Sequence, residues 1–132
     1  MRIKESAENY LEAILIIKKR KGNVRSIDIA NELSFTKASV SVAMKAFKEE
    51  GYISIDENGN ISLMGKGLEI AEKMYERHKV IAHALMALGV SEEVAYEDSC
   101  KLEHHMSNET FEKIKDFFEN FKHFEHFEHF EK

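Results

Sequence analysis

Among the 132 residues there is one cysteine, Cys100. A lone thiol excludes an intramolecular disulfide framework. The leading residues, Met1 to Ser6, run into no apolar segment of the signal-peptide kind, and no stretch approaches the length of a membrane span. The expectation from these absences is a cytoplasmic protein with no membrane contact and a reduced thiol. A glycine-rich loop and a nucleophile–base arrangement are also lacking, which argues against an enzyme. What is present, 43% hydrophobic residues, can bury one compact core or two small ones sharing an interface.

Positive charge is scarce overall: the net charge of -5 argues at first against a phosphate-binding surface. The halves differ, however. Residues 1–66 carry 11 Lys and Arg against 9 Asp and Glu, a net of +2, whereas residues 67–132 carry 8 against 15, a net of -7. Lys18, Lys19, Arg20, Lys21 and Arg25 gather around one turn, and Lys37, Lys45 and Lys48 punctuate a later segment. Solvated helix faces would show such clusters too.

In the first half, Ala7, Tyr10, Leu11, Ile14, Leu15 and Ile17 recur at helical spacing and predict a helix over about residues 5–20, ending before Gly22. Asn9 and Glu12 lie off its main apolar stripe. A short second helix is expected with Ser26 as N-cap and Ile29, Ala30 and Leu33 buried. Thr36 can cap a third, which Gly51 stops after about Glu50. Alternating residues at 52–56 and 60–63, flanking Glu57, Asn58, Gly59 and Asn60, predict a hairpin. A helix-turn-helix followed by a hairpin is a winged helix, whose third helix enters the major groove of DNA. Thr36, Lys37, Ala38, Ser39 and Ser41 are the candidates for base-edge and phosphate contacts, with Arg25 and Lys45 beside them; Val40 and Met44 should face the core. No Arg, Asn or Gln opens this helix, so specificity is expected to rest on small side chains, the thymine methyl and DNA shape. A unit making only protein contacts is the competing reading.

The second half should begin with a long helix from Lys66 to Leu88, carrying Leu68, Ala71, Met74, Tyr75, His78, Ile81, Ala82 and Leu85 on one broad face. A lone histidine on such a face is more often a hydrogen-bonded core residue than a ligand. Ser91 can cap the next helix and Ser107 a last one containing Phe111, Ile114, Phe117 and Phe118. Cys100, Glu103 and His104 fall at i, i+3 and i+4, aiming a thiolate, a carboxylate and an imidazole at one point. That set suits Fe(II), Co(II) or Zn(II), although buried Cys and surface Glu-His pairs are common without any metal.

The order of segments is specific: Ser6 to Ile14, the winged helix with Ser39, Val40 and Ser41, then Arg77 and His78, then Asp98 to Ser107. It closely resembles the iron- and manganese-dependent repressors, the diphtheria-toxin-repressor family, over about residues 3–120. The resemblance implies a mainly α chain with a winged helix-turn-helix DNA-binding domain at 1–65 and an all-helical metal-binding and dimerisation domain at 66–132. It implies a homodimer binding double-stranded palindromic operator DNA when a divalent metal ties the first helix to the second-half helices. The implied metal-facing set is Asn9, Glu12, His78, Cys100, Glu103 and His104.

The chain departs from both branches of that family. Manganese-type members share Glu12 and His78 but usually have carboxylates in place of Asn9 and Cys100. Iron-type members share Cys100, Glu103 and His104 but commonly have Met at position 9 and no carboxylate at 12. Cys100 softens the set and Asn9 removes a hard charge, so Fe(II) is expected over Mn(II), with Zn(II), Co(II) or Ni(II) substituting in vitro. Ala82 and Tyr96 occupy positions where an iron-type ancillary site would place ligands, and His83, one residue after Ala82, points about 100° away from it. The chain leaves no room for the SH3-like domain of longer iron-type members, so a two-domain form is expected. The tail from Phe121, with His123, His126 and His129 at a period of three, reads as a helical extension or frayed end, with adventitious metal binding as the alternative. Regulation by oxidation at Cys100 is the second functional reading; a zinc enzyme built on His78, Glu103 and His104 is the least supported.

Overall fold

The computed structural model describes residues 5–120; the tail histidines lie outside the described residues. The elements run α1 (Glu5–Lys21), α2 (Ser26–Leu33), α3 (Lys37–Glu49), β1 (Ile53–Ile55), β2 (Ile61–Leu63), α4 (Gly65–Ala87), α5 (Glu92–Leu102) and α6 (Asn108–Glu119). Two compact units divide within α4, after Tyr75. The first is a winged helix-turn-helix and the second is all-helical.

The first unit is built around the apolar stripe of α1. Leu11, Ile14 and Ile17 are buried together with Val24, Ile29, Val40, Met44, Ile53, Ile61 and Ala71. The Tyr10 ring meets Phe35 and Phe47 edge-on, with centroids 5.4 and 5.8 Å away, and this burial raises its hydroxyl pKa. Val40 and Met44 face the core as expected, which turns Ser39, Ser41 and Lys45 outward. Thr36 caps α3 through its side-chain oxygen, which accepts from Ser39 N at 3.1 Å.

The start of α2 differs from expectation by one residue. Arg25, not Ser26, is the N-cap, because Asp28 reaches back and accepts from the Arg25 backbone N–H at 2.9 Å. Lys21 Nζ also donates to Asp28, at 2.8 Å. Lys21's hydrogen bond, then that of the Arg25 backbone, hold the Asp28 carboxyl below its ordinary pKa. A depressed folded-state pKa contributes stability above the unfolded carboxylate value and loses it as pH falls through the folded value. Asp28→Ala should therefore cost about 1 kcal/mol near neutrality and progressively less in acid, as urea unfolding at several pH values would register.

The wing pairs Ile53 with Leu63, Ser54 with Ser62 and Ile55 with Ile61 in antiparallel register. Its tip is closed by Asp56 Oδ1, which accepts from the backbone N–H of Asn58 and Asn60, both at 2.9 Å, and Gly59 supplies the positive φ of 85°. Ile61 N donates to Val24 O at 2.8 Å, tying the wing to the segment after α1. At Gly67 a Cβ would fall 2.2 Å from the Tyr52 carbonyl oxygen, so the start of α4 can lie against the wing only without a side chain there.

In the second unit Ile81, Ala82, Ala95 and Phe111 are buried, along with the polar side chains of Arg77, Ser99 and Glu103. Ser91 and Ser107 cap α5 and α6 as expected, accepting from Val94 N and Thr110 N. Among the described residues no helix is long and apolar enough to cross a membrane.

Candidate metal centre and nucleic-acid interface

Glu103 organises the second unit's polar cluster. It follows the last residue of α5 in helical conformation, its N–H donating to Ser99 O at 3.0 Å, and it is only 1% exposed. Burying a carboxylate carries a large desolvation cost unless cations or donors surround it. Here two imidazoles do: Glu103 Oε1 lies 3.0 Å from His78 Nδ1 and Oε2 lies 3.4 Å from His104 Nε2. Cys100 is exposed, yet its Sγ is 3.8 Å from the same His78 nitrogen. Thus four of the expected metal-facing residues, His78, Cys100, Glu103 and His104, are brought together within one unit.

Ser99 joins them, and sequence reasoning missed it. Its hydroxyl donates to Tyr96 O at 3.1 Å and lies 2.9 Å from His78 Nδ1. Glu103 Oε1 shares that nitrogen, so His78 Nδ1 faces both a hydroxyl and a carboxylate. The available signal was spacing: Ser99 precedes Glu103 by four residues and so shares its face of the helix. Tyr96, where an ancillary ligand would be needed, stacks on the His78 ring instead, with centroids 5.4 Å apart. His83 is half-buried, and burial followed by the Lys79 charge pushes its pKa down to about 3, so it stays neutral.

Imidazole nitrogens, a carboxylate and a thiol make a mixed donor set that fits a divalent first-row transition ion. Asn9 and Glu12 belong to α1 in the first unit, where Asn9 is half-buried and Glu12, read from sequence as off the apolar stripe, is buried.

On the first unit, Arg25, Thr36, Lys37, Ala38, Ser39, Ser41 and Lys45 are all exposed. Val42, overlooked in the sequence, is 71% exposed on the same helix. Part of the basic cluster is engaged at home: Arg20 pairs with Glu32 at 2.7 Å, Lys21 with Asp28, and Lys19 Nζ sits 5.1 Å above the Tyr75 ring.

Comparison with known proteins adds the lineage. Residues 2–60 match the iron-dependent repressor N-terminal DNA-binding domain, and residues 65–129 match the iron-dependent repressor metal-binding and dimerisation domain. An uncharacterised HTH-type transcriptional regulator of Methanocaldococcus jannaschii is 36% identical over 87% of this chain and 94% of its own length. The HTH-type transcriptional regulator MntR of Lysinibacillus sphaericus is 31% identical over 84% of this chain and 80% of its own. A solved structure of the manganese regulator SloR aligns at 26% identity and a TM-score of 0.73, covering 90% of this chain; the chain spans about half that protein's length, 55%. The chain belongs to the iron-dependent repressor family of metal-dependent transcriptional regulators, and is a DNA-binding regulator, not an enzyme.

Proposed function

We propose that this protein is a homodimeric, metal-activated repressor that senses Fe(II) in preference to Mn(II), binds palindromic operator DNA in the cytoplasm and controls genes of metal homeostasis. The observation that carries this reading is the Glu103 carboxylate, buried between two imidazoles with a thiol alongside. A bound divalent ion supplies the positive charge that such a donor set is suited to share. His78, Cys100, Glu103 and His104 hold it from the second unit, and Asn9 and Glu12 complete the set from α1. Glu12 is buried on α1, where a carboxylate calls for a cation or hydrogen-bond donors around it. Donors drawn from both domains, 1–65 and 66–132, turn part of the ion's binding free energy into a preferred disposition of the reader, which shifts the population toward the DNA-competent state.

On DNA, Thr36, Lys37, Ser39, Ser41, Arg25 and Lys45 supply donors to phosphate and base edges, while Ala38 and Val42 offer apolar contact to thymine methyls. The metal preference rests on Cys100 and Asn9: a soft thiolate and a neutral amide, where Mn(II) is better suited by harder oxygen donors. Fe(II) binds most sites more tightly than Mn(II), so the informative quantity is how the ratio changes. Anaerobic titrations read by binding to an operator duplex at fixed salt should show the Fe(II) advantage falling on the order of tenfold in Cys100→Asp; an unchanged ratio would remove Cys100 from the metal choice. The exposed thiol also supports an oxidation-sensing reading, which metal-independent DNA release on oxidation would favour.

A further inference from the structure

Arg77 is 4% exposed, and its guanidinium is turned onto the segment joining α5 to α6. Nη1 donates to Glu103 O at 2.9 Å and to Met106 O at 2.6 Å, and Nη2 donates to Asn108 Oδ1 at 3.2 Å. The guanidinium carbon lies 5.2 Å from the centroid of the Phe111 ring, giving a cation–π contact with α6. The Glu103 carbonyl lies at the C-cap of α5 and the Met106 carbonyl in the segment before α6, where main-chain oxygens lack the partner a helix interior supplies. A planar fork of donors can satisfy two of them and an amide oxygen at once, which an ammonium cannot match in direction.

The adjacent residue is His78, whose Nδ1 is 3.0 Å from Glu103 Oε1. Consecutive residues of α4 therefore grip the same glutamate at both ends, Arg77 by its main-chain carbonyl and His78 by its carboxylate. We propose that Arg77 is the positioning residue of the metal centre: it fixes the backbone from Glu103 to Asn108, sets where the Glu103 and His104 side chains are presented, and links that presentation to α6. Its partners are main-chain atoms and two α6 side chains, Asn108 and Phe111, so it acts through Glu103 and His104 and not on the ion. The proposal rests on reading His78, Cys100, Glu103 and His104 as ligands.

The test uses the full chain, wild type and Arg77→Lys, with two readouts. In metal-free protein, amide hydrogen exchange across residues 103–108 should accelerate in the variant while α1 to α3 keep their protection. In anaerobic titration with Co(II), affinity should fall about 10- to 100-fold, with a changed visible absorption spectrum per bound ion. Asn108→Ala, which keeps both carbonyl contacts, should show the same changes at about threefold in affinity, a fraction of the outer-shell range, and it carries the test if Arg77→Lys does not fold. A folded variant with faster local exchange but wild-type Co(II) affinity and spectrum would make Arg77 structural only and overturn the proposal. Unchanged exchange would overturn the pinning itself. Wild-type protein that bound no Co(II) would overturn the metal-site reading, and exchange alone would then decide the pinning.

Discussion

Replacing Glu103 by glutamine should lower metal affinity by at least about 100-fold, beyond what loss of an outer-shell partner produces, and with it the metal response of DNA binding. Glutamine keeps the shape but removes the charge and one acceptor oxygen from between His78 Nδ1 and His104 Nε2. The fold should not suffer in proportion. In the metal-free protein the carboxylate is a buried ionisable group, and neutralising it relieves desolvation while giving up its contacts with the imidazoles. Arg77 is untouched, since it binds the residue-103 carbonyl. The expected signature is thus a split: near wild-type thermal unfolding without metal, and much less stabilisation than wild type at the same added Mn(II) or Co(II). Anaerobic calorimetric titration checks it. Wild-type affinity in Glu103→Gln would exclude the carboxylate as a ligand.

Phe111→Ala should be among the most destabilising single changes, at about 3–5 kcal/mol. The ring is 2% exposed and is the largest fully buried side chain among the described residues. It fills the core face at the first turn of α6 and lies under the Arg77 guanidinium. Truncation leaves both a cavity and a buried cation without its aromatic face. Against a typical domain stability of about 5–15 kcal/mol this is a large share. Equilibrium urea unfolding should show it as a lower midpoint, and a loss under about 1 kcal/mol would mean that the site collapses around the smaller residue.

Where side chains act on near neighbours in the chain, the fold could be read directly from the residues. Thr36 and Gly51 bound the third helix because a hydroxyl cap and a positive-φ glycine are local devices. The wing follows from alternation around Gly59. Ser26 suits a cap by its side chain, but Asp28, three residues after Arg25, supplies the cap from inside the helix. The metal cluster was half legible. Cys100, Glu103 and His104 announce themselves by spacing, while His78 needed the family resemblance to lift it from a core histidine. Arg77 and Ser99 escaped for a different reason. Arg77 meets Glu103 O across 26 residues of chain and Ser99 meets His78 across 21, and periodicity contains nothing about contacts at that range. Glu12 shows the limit of hydropathy patterning: a carboxylate is scored as solvent-facing, and this one is buried.

The central claim is that metal and DNA binding are thermodynamically coupled, and coupling of that kind is reciprocal. The direct measurement is the Fe(II) affinity of the anaerobic protein, alone and saturated with a palindromic duplex selected from random sequence by the metal-loaded protein, at fixed salt. DNA should tighten Fe(II) binding by the same factor by which Fe(II) tightens DNA binding, a factor of about 5–150 for ordinary coupling. Equal Fe(II) affinity with and without the duplex would contradict the account.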